Sequence, residues 1–121
     1  MKKISKNLIE EKKFYERLIK INPNFLEVLF QLSRIYIRLK DYKKVLKIDK
    51  KIANLMPFDP ISYYNLACDY SLIGDIENSL KNLKIAIILG FKNKDYIRKD
   101  PDLKNLRNNK RFKEIEKIIN R

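Results

Sequence analysis

The chain has 121 residues, of which 45% are hydrophobic and 36% are charged, so it can form a single domain with a buried core. It contains only two glycines and four prolines, which argues against a strand-rich fold with many turns and favours helices. With one cysteine and no histidine, it excludes an intramolecular disulfide, a multi-cysteine metal site and a Cys–His nucleophile, and we expect a reducing, cytoplasmic location.

The net charge of +13 is unevenly distributed along the chain. Residues 1–23 carry +4, residues 24–57 carry +5, residues 58–90 carry −2 and residues 91–121 carry +6. Two explanations stay open. In the first, the high lysine content reflects an AT-rich genome, because AT-rich codons also encode the abundant isoleucine and asparagine. In the second, the lysines form a basic surface that binds nucleic acid or an acidic protein.

The first predicted element is an amphipathic helix that ends at Asn22-Pro23. Its apolar side chains fall within an arc of about 160° when each residue turns by about 100°. They are Ile4, Leu8, Phe14, Tyr15, Leu18, Ile19 and Ile21. Charged residues interrupt this segment and no stretch reaches the about 18 apolar residues of a membrane span, so we expect neither export nor membrane insertion.

Residues 24–57 and 58–91 repeat one pattern at an offset of 34 positions. In each unit the apolar residues step by three, one and three positions, which is helical spacing. The period then breaks before Asp41 and Asp75, which we predict to cap a second helix, while Lys40 and Gly74 occupy the left-handed turn. Seven identical pairs support the offset: Leu32/Leu66, Tyr36/Tyr70, Asp41/Asp75, Leu46/Leu80, Lys47/Lys81, Lys50/Lys84 and Leu55/Leu89.

The second unit contains Tyr63-x2-Leu66-Ala67-x2-Tyr70 and then Ser79-x3-Leu83, and the first contains Leu29-x2-Leu32-Ser33-x2-Tyr36 and then Pro57. This motif resembles the tetratricopeptide repeat, W-x2-L-G-x2-Y, then A-x3-F, then P. Asp49, Ile52 and Phe91 depart from the pattern. The resemblance implies an all-α, right-handed superhelical array of helix-turn-helix repeats in one domain, 1–121, in which residues 1–22 form half a repeat.

Residues 92–121 contain two further apolar segments. Asp100-Pro101 combines an N-cap with a proline at the first helical position, so it predicts a short helix that carries Leu103 and Leu106. A second apolar stripe follows, formed by Phe112, Ile115, Ile118 and Ile119. This tail resembles the segment that closes many bacterial repeat arrays of the family, which implies that it caps the last repeat.

The resemblance also implies a role in protein–protein interaction, as a scaffold, adaptor or chaperone-like module. Such a module would bind a peptide or helix of a partner protein, which could be acidic, on the concave face formed by the first helix of each repeat. The family's ligand-facing positions include an arginine pair, side-chain amides and rings, which suit carboxylate pairing and aromatic contacts. In an alternative arrangement, the C-terminal helices fill this concave groove and leave no binding surface there. The candidate partner-binding residues are Phe30, Gln31, Arg34, Arg38, Tyr64 and Asn65.

RNA or other polyanion binding through basic surfaces is the alternative, because pentatricopeptide units are helical hairpins of similar length. Two repeats would specify only about two bases, which disfavours it. The lysines Lys43, Lys44, Lys47, Lys50 and Lys51 share the second helix of the first unit, as a solvated face or an anion contact. We expect no enzymatic activity, no cofactor and no metal, and we make no prediction of oligomeric state.

Overall fold

The computed structural model describes residues 6–120. Ile4, which was predicted to belong to the apolar arc of the first helix, and Arg121 lie outside the described residues. Within that range the chain consists of α-helices and short 3₁₀ turns, without strands. It divides into two compact units, unit 1 (Met1–Leu55) and unit 2 (Met56–Arg121). The single domain over 1–121 stays a prediction. The helices are α1 (Lys6–Ile21), α2 (Leu26–Arg38), α3 (Tyr42–Leu55), α4 (Pro60–Leu72), α5 (Ile76–Ile88), α6 (Lys94–Lys99), α7 (Lys104–Arg107) and α8 (Lys113–Ile119).

In unit 1, α2 and α3 form the first helical hairpin around a buried cluster. Lys40 adopts the predicted left-handed backbone, with φ of 57°. The Asp41 carboxylate accepts the Lys44 N–H at 3.3 Å, as a residue that caps α3 should. The cluster consists of Val28, Leu32, Tyr36 and Val45, with Tyr15, Leu18, Ile19 and Ile48 packed against it.

Only part of the apolar arc of α1 is buried. Leu8 is buried, and Tyr15, Leu18 and Ile19 pack against the cluster of α2 and α3. Phe14 is 47% exposed and Ile21 is 82% exposed. The arc is wider than the stripe that one neighbouring hairpin can cover, so its outer members stay in solvent.

Two polar contacts, one buried and one half-buried, also hold unit 1 together. Ser33 donates to the Asp49 carboxylate at 2.7 Å, and both residues are buried. Tyr36 donates to the Glu16 carboxylate of α1 at 2.7 Å. Burial, then that hydrogen bond, raises the pKa of Tyr36, so its hydroxyl remains a donor.

In unit 2, α4 and α5 form the second hairpin with the predicted turn. Gly74 has φ of 82°, a conformation that costs glycine little. Asp75 caps α5 by accepting the Asn78 N–H at 3.2 Å. Ser79 donates to the Ala67 carbonyl at 2.7 Å, which requires that the two helices approach closely at these small residues.

The end segment, residues 92–120, folds onto this second hairpin. Leu103, Leu106 and Ile115 are fully buried in one cluster with Leu80 and Leu83 of α5. Phe112 and Ile119 join the same cluster, which confirms the predicted burial of these two residues and of Ile115, whereas Ile118 is only half-buried. Helix α6, which the sequence patterns did not predict, is capped by Asn93 through its contact with the Tyr96 N–H at 3.0 Å.

Candidate functional site

One exposed face of α2 carries four of the six predicted partner-binding residues. Arg34 and Arg38 are exposed, and Phe30 and Gln31 are half-buried beside them. We call these four residues the α2 face. Phe30 and Gln31 lie four and three positions before Arg34, and Arg38 lies four positions after it, which puts the four residues along one side of the helix. Neither arginine forms an ion pair with a described carboxylate, so both guanidinium groups can take an external acceptor.

The corresponding positions of α4 differ, although they lie 34 residues further along the chain. Tyr64 is only 4% exposed, Cys68 is buried, and Leu72, the counterpart of Arg38, is half-buried. Asn65 alone among these four positions is exposed. The open face expected on α4 is therefore covered at these buried positions, because the end segment packs there.

Tyr64 belongs to the core of unit 2. Its ring stacks on Phe91, with centroids 4.2 Å apart and an angle of 6° between the planes. Its hydroxyl donates to the Asp100 carboxylate at 2.5 Å. Burial, then this hydrogen bond, raises the pKa of Tyr64, which keeps the hydroxyl protonated. A partner could reach the ring only by displacing the end segment.

Asp100 connects the end segment to α4. Besides the Tyr64 hydroxyl, its carboxylate accepts the Asp102 N–H at 3.0 Å and lies 3.7 Å from the Cys68 sulfur. Cys68, Asp100 and Asp102 each offer a ligand atom within 4.8 Å of the others. Burial, then the carboxylates of Asp100 and Asp102, raises the pKa of the Cys68 thiol, which disfavours the thiolate that a metal ion prefers. These contacts cap the turn that begins at Pro101 and hold it against α4.

Ser71 forms a second connection between α4 and the end segment. Its hydroxyl accepts the Leu106 N–H at 3.2 Å, and its carbonyl accepts the Asn105 side-chain amide at 2.8 Å. Arg107 donates to the Asp100 carbonyl at 2.5 Å. The Asp100-Pro101 cap was the sequence signal for the contact between the end segment and α4. The sequence around Ser71 gives no sign that its hydroxyl is a buried acceptor.

A groove in unit 1 runs beside α3. It has a volume of about 530 Å³ and combines apolar side chains with lysines. Lys43, Lys47 and Lys50 are exposed at its rim, whereas Lys44 does not line it. Lys44 instead lies 3.9 Å from the Asp41 carboxylate. The lining residues are Ile19, Pro23, Leu29, Lys43, Leu46, Lys47, Ile48, Lys50, Lys51 and Asn54.

Comparisons with known proteins bear on the fold. No protein-family model matches the chain. No curated protein matches it. Seven chains of solved structures match, and one of them is MamA 41-end from Desulfovibrio magneticus RS-1. That chain is 17% identical with a TM-score of 0.65, over 93% of this chain and 66% of its own length.

This likeness shows the fold alone: an all-α, tetratricopeptide-like helical repeat, which confirms the predicted fold class. The present chain spans 66% of the length of the matched one. Within residues 6–120, no helix has both the length and the apolar character needed to cross a bilayer.

Proposed function

We propose that the protein is a protein–protein interaction module whose α2 face binds a segment of another protein. A single observation carries this function: Arg34 and Arg38 are exposed, lie one turn apart, and pair with no described carboxylate. Helical repeats present such faces as extended binding surfaces. Tyr64 is not part of this binding surface, since it is buried under the end segment.

The chemistry of the α2 face suits an acidic side chain or a chain terminus. A guanidinium group binds a carboxylate through two parallel hydrogen bonds, and hydrogen bonds to charged groups contribute about 1.5–3 kcal/mol each. Phe30 is half-buried and Ile37 is 49% exposed, so apolar area flanks the arginines. Gln31 adds an amide that can donate and accept.

Binding, and not catalysis, is the proposed role. The carboxylates of Asp75 and Asp100 are engaged as helix caps, and the Cys68 thiol is buried. The proposed location is the cytoplasm, where a single thiol stays reduced.

Site-specific photocrosslinking tests this function. A photoreactive amino acid replaces Gln31 in one variant and Lys110, an exposed residue of unit 2, in a control variant. Crosslinked proteins are identified by mass spectrometry in extract of the native host, with and without nuclease. We expect a discrete protein to crosslink from position 31 and not from position 110.

The purified partner then allows a matched comparison of two pairs of substitutions. Arg34→Ala with Arg38→Ala should weaken binding at least about tenfold, a loss of about 1.4 kcal/mol. Lys43→Ala with Lys47→Ala, on α3, should change it less than about twofold, as expected for lysines outside the α2 face. If the lysine pair abolishes binding and the arginine pair does not, the α2 face is the wrong site. Nuclease-sensitive recovery of RNA in place of a protein would favour the alternative function.

A further inference from the structure

We infer that the groove beside α3, in unit 1, is a second docking site, and that its occupant is an acidic amphipathic helix of a partner protein. It resembles the proposed function only in that the partner is a protein. The helix, the residues and the test are separate from those of the α2 face. We call it the lysine groove, defined by the lining residues given above.

The floor of the lysine groove is apolar. Leu29 of α2 is buried, and Ile19, Leu46 and Ile48 are half-buried around it. The volume of about 530 Å³ lies within the about 300–1,000 Å³ of pockets that bind ligands. A floor of this kind favours apolar side chains of a partner, because each buried methylene contributes about 0.8 kcal/mol.

The rim of the lysine groove is cationic along its length. Lys43, Lys47 and Lys50 follow each other by four and three positions, so they form one row on α3. The row is about 10 Å long at 1.5 Å per residue. Among the described lining residues there is no carboxylate, and Asp49, the acid of α3, is buried and hydrogen-bonded to Ser33.

Charge complementarity therefore selects the occupant. Residues 1–55 hold 15 basic and six acidic side chains, a net +9, whereas residues 56–121 hold 13 and nine, a net +4. A helix with glutamates at successive turns would match the lysine row, and its apolar stripe would fill the floor, the general mode by which amphipathic helices bind grooves.

Single-stranded RNA fits this groove less well. Proteins that bind single strands stack bases on aromatic side chains along a basic channel. The lining contains no aromatic residue among the described residues, and its floor is aliphatic. Phosphates would satisfy the lysines and leave the apolar floor without a partner.

The test uses three synthetic helical peptides and the full chain. The first has leucines at positions i, i+3, i+4 and i+7 flanked by glutamates. The second replaces the leucines by serine, and the third replaces the glutamates by glutamine. Binding is measured by fluorescence anisotropy at about 0.15 M salt, alongside an oligouridylate of the same length. We expect the first peptide to bind at least about tenfold tighter than either peptide control or the RNA.

Two pairs of charge reversals identify the site. Lys43→Glu with Lys47→Glu changes exposed residues of the rim, and Lys110→Glu with Lys113→Glu makes the same charge change on exposed residues of unit 2. The rim pair should weaken the first peptide at least about tenfold, the control pair less than about threefold. Circular dichroism confirms that each variant is folded.

Four outcomes would overturn the inference. Equal binding of the serine peptide would show that the floor is not used, and equal loss in both charge reversals would show general attraction. Tighter binding of the RNA would make the lysine row a polyanion site. Loss of the first peptide through Arg34→Ala with Arg38→Ala, while the rim pair has no effect, would place it on the α2 face. Failure of the lysine groove would thus remain distinct from failure of the proposed function.

Discussion

The two helical hairpins share one sequence pattern but expose different faces. Positions 34 and 68 are equivalent in the repeat, yet Arg34 is exposed and Cys68 is buried. Likewise Ile37 is half-exposed and its counterpart Ser71 is buried. The end segment accounts for the burial in unit 2, since Asp100 and Leu106 contact α4 directly. The residue types agree with this difference in burial. Position 34, which is exposed, has a charged arginine, and position 68, which the end segment covers, has a small cysteine.

The interiors of the hairpins differ as well. In unit 2, Ala67 of α4 and Leu83 of α5 are both fully buried in one apolar cluster. At the equivalent positions of α2 and α3 stand Ser33 and Asp49, joined by a hydrogen bond of 2.7 Å. One repeat pattern therefore accommodates either an apolar contact or a satisfied polar pair, because burial requires only that each polar group has a partner.

The largest expected effect is on stability, when the packing of the end segment against α4 is weakened. Leu106→Ala removes a fully buried side chain from the cluster of unit 2 and should lower the free energy of unfolding by about 2–5 kcal/mol. Ile88→Ala, at a position 79% exposed, should change it by less than about 0.5 kcal/mol. Urea denaturation followed by circular dichroism measures both. Similar losses in the two variants would contradict the capping role of the end segment.

Thiol labelling compares the equivalent positions directly. Cys68 is buried and its thiol pKa is raised, so an aromatic disulfide reagent should modify it at least about 100-fold more slowly than an exposed cysteine. The exposed comparison is Arg34→Cys in a Cys68→Ala background, followed by absorbance. Leu106→Ala should accelerate the labelling of Cys68. Equal rates at positions 34 and 68 would mean that α4 is not covered in solution.

The polar pair of unit 1 can be exchanged for the apolar contact of unit 2. Ser33→Ala leaves the buried Asp49 carboxylate without its donor and should cost about 1–3 kcal/mol. Adding Asp49→Leu recreates the Ala67/Leu83 combination and should recover stability, since replacing both members of a buried polar pair is often neutral. Thermal unfolding measures the series. A double variant less stable than Ser33→Ala alone would show that the hairpins are not interchangeable here.

The smallest expected effect is a pH dependence at the surface of unit 2. Lys84, at 2.6 Å, and then Arg111, at 3.0 Å, lower the pKa of Glu114 below its ordinary value of 4.5. The folded state thus favours the carboxylate, so this stabilisation is present above pH 4.5 and is lost as the pH falls through the lowered pKa. The Lys84 and Glu114 side chains are partly exposed to solvent, which screens their interaction, so the contribution is small.

Glu114→Gln should therefore slightly flatten the acid limb of the curve of stability against pH, measured by urea unfolding between neutral and acidic pH. Glu11→Gln changes an exposed carboxylate of α1 and serves as the control in unit 1. An identical change in both variants would assign the effect to net charge and not to the contact with Lys84.

Local patterns were sufficient to predict much of the fold. The turn residues Lys40 and Gly74, the cap at Asp75 and the burial of Leu103 depend on neighbours within a few positions, or on apolar periodicity. Helix α6 was not predicted, because it has six residues and only Ile97 among them is buried. Such a helix has too few turns for periodicity to be visible.

The candidate sites were predictable only in part. Arg34 and Arg38 could be assigned to one helix face from their spacing alone. The burial of Tyr64 could not, since its partner Asp100 is 36 positions away. The lysines were predicted on one helix, but the apolar floor beside them includes Ile19 and Leu29 from other helices. Separation in sequence, and not residue chemistry, is what limited the inference.

The sequence by itself determined a repeat of 34 positions, two helical hairpins with their turns, and an apolar C-terminal segment. These follow from the period of apolar residues and from short-range capping, which act over a few residues. Only the tertiary structure decided which faces are covered. The end segment covers α4 at Tyr64, Cys68 and Ser71, and residues of α1, α2 and α3 together line an aliphatic groove with a row of lysines from α3 along its rim. Each of these arrangements depends on contacts between distant residues, which no local pattern encodes.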